Sequence, residues 1–165
     1  MKIIVTADTH MTDNNNLLPS RFVKELKNAD LIIHAGDWKT MDVYHTLAKY
    51  SEVIGVYGNI DNEEIKDQFS TREILNVHGH KIGIVHGHGE KKTTEKRALE
   101  AFDDNDVDVI IFGHSHIPMM RYFNKTLLFN PGSPTYKRKL PYYSFGILEI
   151  DEEIRGEIIF FSEKS

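Results

Sequence analysis

Five strand-like runs in this chain pass almost directly, at their C-terminal ends, into aspartate, asparagine or histidine, and that placement constrains the fold more than any other feature. Lys2–Ala7 runs into Asp8-Thr9-His10, Leu31–His34 into Gly36-Asp37, and Val53–Tyr57 into Gly58-Asn59-Ile60-Asp61. Lys81–Val85 runs into His86-Gly87-His88, and Val107–Phe112 into Gly113-His114-Ser115-His116. Segments of helical pattern alternate with these runs. Pro19–Ala29 carries Phe22, Val23 and Leu26 on one face, and Met41–Tyr50 carries Val43, Leu47 and Tyr50, with Thr40 as its N-cap. A short helical turn near Asn62–Phe69 and an amphipathic helix over Thr93–Phe102 complete the set. Such alternation predicts parallel pairing, and the C-terminal strand ends of a parallel sheet lie along one edge, where loops build α/β sites.

The rest of the chain is strand-rich. Glu73–Val77 and Lys81–Val85 form a hairpin about His78-Gly79-His80, and Met120–Phe123 and Thr126–Phe129 flank an Asn124-Lys125 turn. Ser144–Ile150 and Glu157–Phe161 flank Asp151–Gly156. Parallel pairing first and antiparallel pairing later predict mixed sheets, with a second sheet packed on the first. At 165 residues, without repeat or linker, the chain reads as one domain over 1–165. A net charge of −5 argues against duplex binding, so no stable nucleic-acid complex is expected. The absence of cysteine removes disulfides, Cys-ligated zinc, iron–sulfur clusters and thiol catalysis. No apolar run approaches the ~20 residues of a membrane span, and no signal peptide is evident, so a soluble, cytoplasmic protein is expected.

Nine histidines are the compositional oddity. Asp8/His10 and His114/His116 are i,i+2 pairs, which an extended backbone would point to one side. Imidazole and carboxylate together suit borderline divalent ions such as zinc, iron and manganese. A single histidine at a strand end is ordinarily a satisfied surface or core group; five strand ends so equipped argue for metal. Asp8, His10, Asp37, Asn59, His86, His114 and His116 are too many for one open tetrahedral ion, and about right for two ions sharing a carboxylate.

Asp8-x-His10, Gly36-Asp37, Gly58-Asn59, His86 and Gly113-His114-x-His116 resemble the ordered motifs of the calcineurin-like metallophosphoesterases. Gly58-Asn59-Ile60-Asp61 and Asn130-Pro131-Gly132-Ser133 are similar to the small bacterial and archaeal phosphodiesterase branch. The resemblance implies an α/β fold, a four-layer αββα sandwich of two mixed sheets flanked by helices. It implies two divalent ions per chain, with manganese expected and nickel, cobalt, zinc or iron as alternatives. Asp8, His10, Asp37 and His116 would hold one ion; Asp37, Asn59, His86 and His114 would hold the other. The implied activity is hydrolysis of a small phosphate ester, a diester before a monoester, by a metal-bridging hydroxide.

The family's common histidine after the motif-three Asn is here Ile60, which cannot donate a proton, and Asp61 and His88 are the nearby substitutes. His78 and His80 read as turn histidines, His45 as an exposed helix residue, His34 as a buried or ligand-supporting one, and Lys137-Arg138-Lys139 as a solvated loop with minor steering. The alternative function is a non-catalytic scaffold, as in the retromer subunit of this fold; the complete ligand set favours catalysis. A Rossmann reading fails because Asp8-Thr9-His10-Met11-Thr12 replaces G-x-G-x-x-G. No membrane partner is expected, and a homodimer is left open.

Overall fold

The apolar runs of the sequence become ten strands among the described residues, and the way two sheets share them decides where the candidate ligands meet. The computed structural model describes residues 1–11 and 17–163; residues 12–16, Thr12 among them, and the last two of the expected 1–165 domain lie outside them. In chain order the elements are β1 (Lys2–Thr6), α1 (Ser20–Leu26), β2 (Leu31–His34), α2 (Met41–Ala48), β3 (Val53–Gly55), α3 (Glu63–Gln68) and β4 (Arg72–Val77). There follow β5 (His80–Val85), α4 (Thr94–Glu100), β6 (Val109–Ile111), β7 (Met119–Phe123), β8 (Thr126–Asn130), β9 (Tyr143–Ile150) and β10 (Ile154–Phe161).

One sheet has the order β10-β9-β1-β2-β3, the other β4-β5-β6-β8-β7. In the first, β1, β2 and β3 run parallel, with Ile3 opposite Leu31 and Ile32 opposite Val53; β9 lies antiparallel on β1. In the second, β5, β6 and β8 run parallel, and the hairpin partners β4 and β7 close the edges antiparallel. Parallel pairing is therefore not confined to the N-terminal half. The late strands also divide: β7 and β8 join the second sheet, while β9 and β10 return to the first.

Alternation along each strand builds the layers. Ile3, Val5 and Ile33 of the first sheet pack between the sheets against Ile84, Val109, Ile111 and Phe129 of the second. Ile4 and Ile32 point the other way, under Phe22 and Leu26 of α1, Leu47 of α2 and Ile65 of α3. On the far side, Ala98 of α4 and Phe102 cover Ile110 and Leu128. Each fully buried aliphatic side chain contributes about 1.5–3 kcal/mol, and strands buried on both faces need no long helices to hold them. The result is the αββα sandwich.

The expected C-terminal ends of α1, α2 and α4 survive as tighter turns. Ala29 N–H donates to Leu26 O, Tyr50 N–H to Leu47 O and Phe102 N–H to Leu99 O, all i→i−3 bonds. Asn62 caps α3 by accepting from Ile65 N–H at 3.1 Å, and Thr93 caps α4 through Lys96 N–H at 3.2 Å. Thr40 stands at the N-cap position of α2, but its hydroxyl makes no capping bond.

Candidate metal centre

The candidate ligands follow β1, β2, β3, β5 and β6, so they come from both sheets and meet at one end of the sandwich, not along a single sheet edge. Extended alternation does not orient the i,i+2 pairs. Asp8 (φ 53), His10 (φ 46), Asp37 (φ 60), His114 (φ 71) and His116 (φ 62) are all left-handed. Non-glycine residues are rarely found there, and such strain concentrates at functional sites when the surroundings enforce it. Here the loops brace one another. Asp8 N–H donates to Gly36 O at 2.9 Å, His10 N–H to Asp37 O at 3.1 Å, and Met11 N–H to Trp38 O at 3.2 Å. Gly36 needs its freedom twice over: its φ is 99°, and a Cβ there would lie 2.7 Å from His86 Nδ1.

Two clusters result. Asp8, His10 and His116 bring ligand atoms within 4.8 Å of one another, and so do Asp37, His86 and His114. Asp37 Oδ2 stands between them, 3.4 Å from His10 Nε2 and 3.1 Å from His86 Nε2. His114 Nδ1 lies 3.2 Å from Asn59 Oδ1, which brings the Asn59 amide to the second cluster. Backbone carbonyls set two tautomers: His86 Nδ1–H donates to Ala35 O and His116 Nδ1–H to Tyr136 O, both at 2.8 Å. Their Nε2 lone pairs are thus turned inward.

The buried atoms Asp8 Oδ2, His10 Nε2, His86 Nε2 and His116 Nε2 have no hydrogen-bond partner. Burying such donors and acceptors unpaired is costly, and convergent imidazole nitrogens and carboxylate oxygens are what a divalent ion satisfies. The residues present therefore fit metal. Burial pushes the Asp8 carboxyl up to about 7, against the charges of His86 and Arg138. Burial also acts upward on Asp37, but the close His10 and His86 imidazoles, 3.4 and 3.1 Å from its Oδ2, hold it well below the carboxylate range. Burial lowers both His114 and His116 to about 4, aided at His114 by the His86 charge and at His116 by that of Arg138; these two are neutral, as ligands must be.

The family model of the calcineurin-like phosphoesterase superfamily domain matches residues 1–153. The chain belongs to this superfamily. A probable metallophosphoesterase of Methanocaldococcus jannaschii is 34% identical over 160 residues, covering 96% of this chain and 81% of the relative. A phosphodiesterase of the same archaeon is 28% identical over 176 residues, covering 96% and 99%. Vps29 of Entamoeba histolytica, solved in complex with zinc, matches with a TM-score of 0.74 at 23% identity over 97% and 99% of the two chains, a likeness of fold. The superfamily is one of metal-dependent phosphoesterases, and the described residues of this chain offer two candidate metal sites.

The substitutes for the missing histidine differ in what they face. Asp61 is buried; its Oδ2 accepts from Asp37 N–H at 3.0 Å and Gly58 N–H at 2.7 Å, and its Oδ1 from Lys39 N–H at 2.7 Å. Both oxygens are thereby committed to the backbone that carries Asp37. His88 is exposed, its ring 5.5 Å from that of His86 and 6.4 Å from that of His114. Ile60 is exposed, and its N–H donates to Asp37 Oδ1.

Several supporting residues were not singled out by spacing. Ser133 Oγ donates to Asp8 O at 2.7 Å and Thr135 Oγ1 to Thr9 O at 2.6 Å, so the Asn130–Tyr136 loop underpins the first cluster. Their only sequence signal is the Asn-Pro-Gly-Ser turn. His34 is fully buried: Nδ1 accepts from Gly36 N–H, leaving Nε2–H for Thr9 Oγ1 at 3.0 Å, and Trp38 stacks on its ring. It ties the loop after β1 to the loop after β2. His78 and His80 lie in and beside the β4–β5 turn, and His45 is exposed on α2.

Proposed function

We propose that this phosphoesterase hydrolyses small phosphodiesters at a centre of two divalent ions, held by Asp8, His10, Asp37 and His116 on one side and by Asp37, Asn59, His86 and His114 on the other. The observation that carries this reading is the Asp37 carboxylate between two convergent, otherwise unpartnered ligand sets. Nitrogen, carboxylate and amide-oxygen donors without thiolate suit manganese, nickel, cobalt, zinc or iron alike, and the family resemblance points to manganese among them. When bound, such ions polarise phosphoryl oxygens and lower the pKa of water.

The protein's part is placement. Asp37 lends negative charge to both sides, and His86 and His116 keep their Nε2 atoms forward through the carbonyls of Ala35 and Tyr136. Asp61 positions the Asp37 backbone. His88 and His114 stand at the open mouth, where substrate arrives, and Ile60 beside them supplies no proton. Two doubly charged ions against Asp8, Asp37 and one hydroxide leave the centre about +1, which matches the single charge of a diester.

The test is a screen of phosphomonoesters and diesters against manganese, nickel, cobalt, zinc and magnesium, with Asp37→Asn in parallel. Diester hydrolysis that requires added ion and collapses in the variant is expected. Binding of two ions without hydrolysis of any ester would favour the scaffold reading instead.

A further inference from the structure

A cleft of about 560 Å³ opens beside the first cluster, with His116 in its wall, and continues over Ile117, Tyr136, Arg138, Lys139 and Leu140. Its volume is that of a small-molecule site. Tyr136 links cleft and centre: its ring lies 5.0 Å from that of His10 and 5.3 Å from that of His116. Ile117 is 56% exposed and Tyr136 48% exposed, so the cleft offers uncovered apolar surface on which a flat ring can lie.

Its charge is out of keeping with the chain. Against a net −5, Lys137, Arg138 and Lys139 place three cations in succession, and none pairs with a carboxylate among the described residues. All three line the cleft; Lys137 also leans over the Tyr143 ring at 5.5 Å, while Arg138 and Lys139 stack on no ring among the described residues. Arg138 is held left-handed, φ 54, in a turn closed by Leu140 N–H donating to Lys137 O at 3.1 Å. A centre of about +1 already balances one diester charge, so further fixed cations beside it face a second negative group.

We propose that this cleft receives the organic part of the substrate and selects phosphate esters bearing a second phosphoryl group on a flat ring framework, of the nucleoside bisphosphate kind, with Arg138 and Lys139 holding that second group. The proposal rests on the phosphodiesterase reading above and names its substrate class. A phosphate can accept both planar N–H groups of a guanidinium at once, which a point charge cannot match.

The experiment compares the p-nitrophenyl ester of thymidine 5′-phosphate with and without a 3′-phosphate, in manganese. Both release the same leaving group by the same cleavage, so their kcat/KM ratio reports only the second phosphate and is indifferent to the fraction of folded enzyme. The 3′-phosphorylated ester is expected to be preferred at least tenfold, about 1.4 kcal/mol. Arg138→Gly removes the charge while tolerating the left-handed turn, and should bring the ratio below threefold; Arg138→Lys should fall between, and Lys125→Gln on the distant β7–β8 turn should leave it unchanged. Calorimetric binding of thymidine 3′,5′-bisphosphate against thymidine 5′-phosphate supplies a readout without turnover. A binding preference lost in Arg138→Gly, with neither ester cleaved, would uphold the subsite and overturn the phosphodiesterase reading. Equal cleavage of both esters, with no binding preference, would overturn the subsite and leave that reading intact. Absence of both cleavage and preference would overturn both.

Discussion

Asp61→Asn separates a positioning role from proton donation. The side chain is 5% exposed, and its two oxygens accept from three backbone N–H groups, those of Asp37, Gly58 and Lys39. Asparagine has nearly the same shape. Its single oxygen can keep the Asp37 and Gly58 donors, but its amide group then meets Lys39 N–H donor to donor. One enclosed donor is left unsatisfied, at about 1–3 kcal/mol, and the two remaining bonds lose their charge assistance. A loss of about 3 kcal/mol follows. For a domain of this size 1 kcal/mol corresponds to roughly 2–4 °C, so Tm should fall by roughly 6–12 °C. The assay is scanning calorimetry in EDTA, which isolates the fold from metal binding, together with rates on aryl esters of graded leaving-group pKa. Rates should drop alike for good and poor leaving groups, because the Asp37 loop is displaced for all of them. An unchanged Tm with selective loss of the poor leaving groups would refute the argument and make Asp61 the proton donor.

Ile60 offers a departing alkoxide no proton where the family's common histidine would stand, so activated aryl diesters should be hydrolysed far faster than alkyl ones; general acid catalysis is typically worth about 100- to 10,000-fold. Ile60→His should flatten that dependence, and a flat dependence in the wild-type enzyme would contradict the reasoning. In the ion-free protein burial raises Asp8 to about 7, so its proton must leave for an ion to bind, whereas His114 and His116, lowered to about 4, carry none to release. Metal affinity should therefore fall as pH drops through about 7, with excess ion restoring activity; acid inactivation indifferent to metal concentration would count against this.

Much of this was legible because the strand ends carry the chemistry. Asp8, Asp37, His86 and His114 follow runs whose apolar character is unmistakable, and burial on both faces keeps those runs continuous. Periodicity could not say which sheet a late strand joins: β8 and β9 are both largely buried, yet one pairs with β6 and the other with β1. Nor could it show that the ligand loops are left-handed, since φ above zero at Asp8 and His10 goes with backbone bonds to Gly36 and Asp37, far away in the sequence. The Asn130–Ser133 turn was marked by resemblance, but the bonds of Ser133 and Thr135 were hidden, because their partners are the carbonyls of Asp8 and Thr9, more than a hundred residues earlier.

The central claim is that Asp37 serves two ion sites at once, and metal stoichiometry measured alongside turnover tests it most directly. The account predicts two divalent ions per wild-type chain, and in Asp37→Asn a fall below one ion together with near-complete loss of phosphodiester hydrolysis, the thermal transition in EDTA being retained. Two ions still bound to Asp37→Asn with near-normal activity would contradict it.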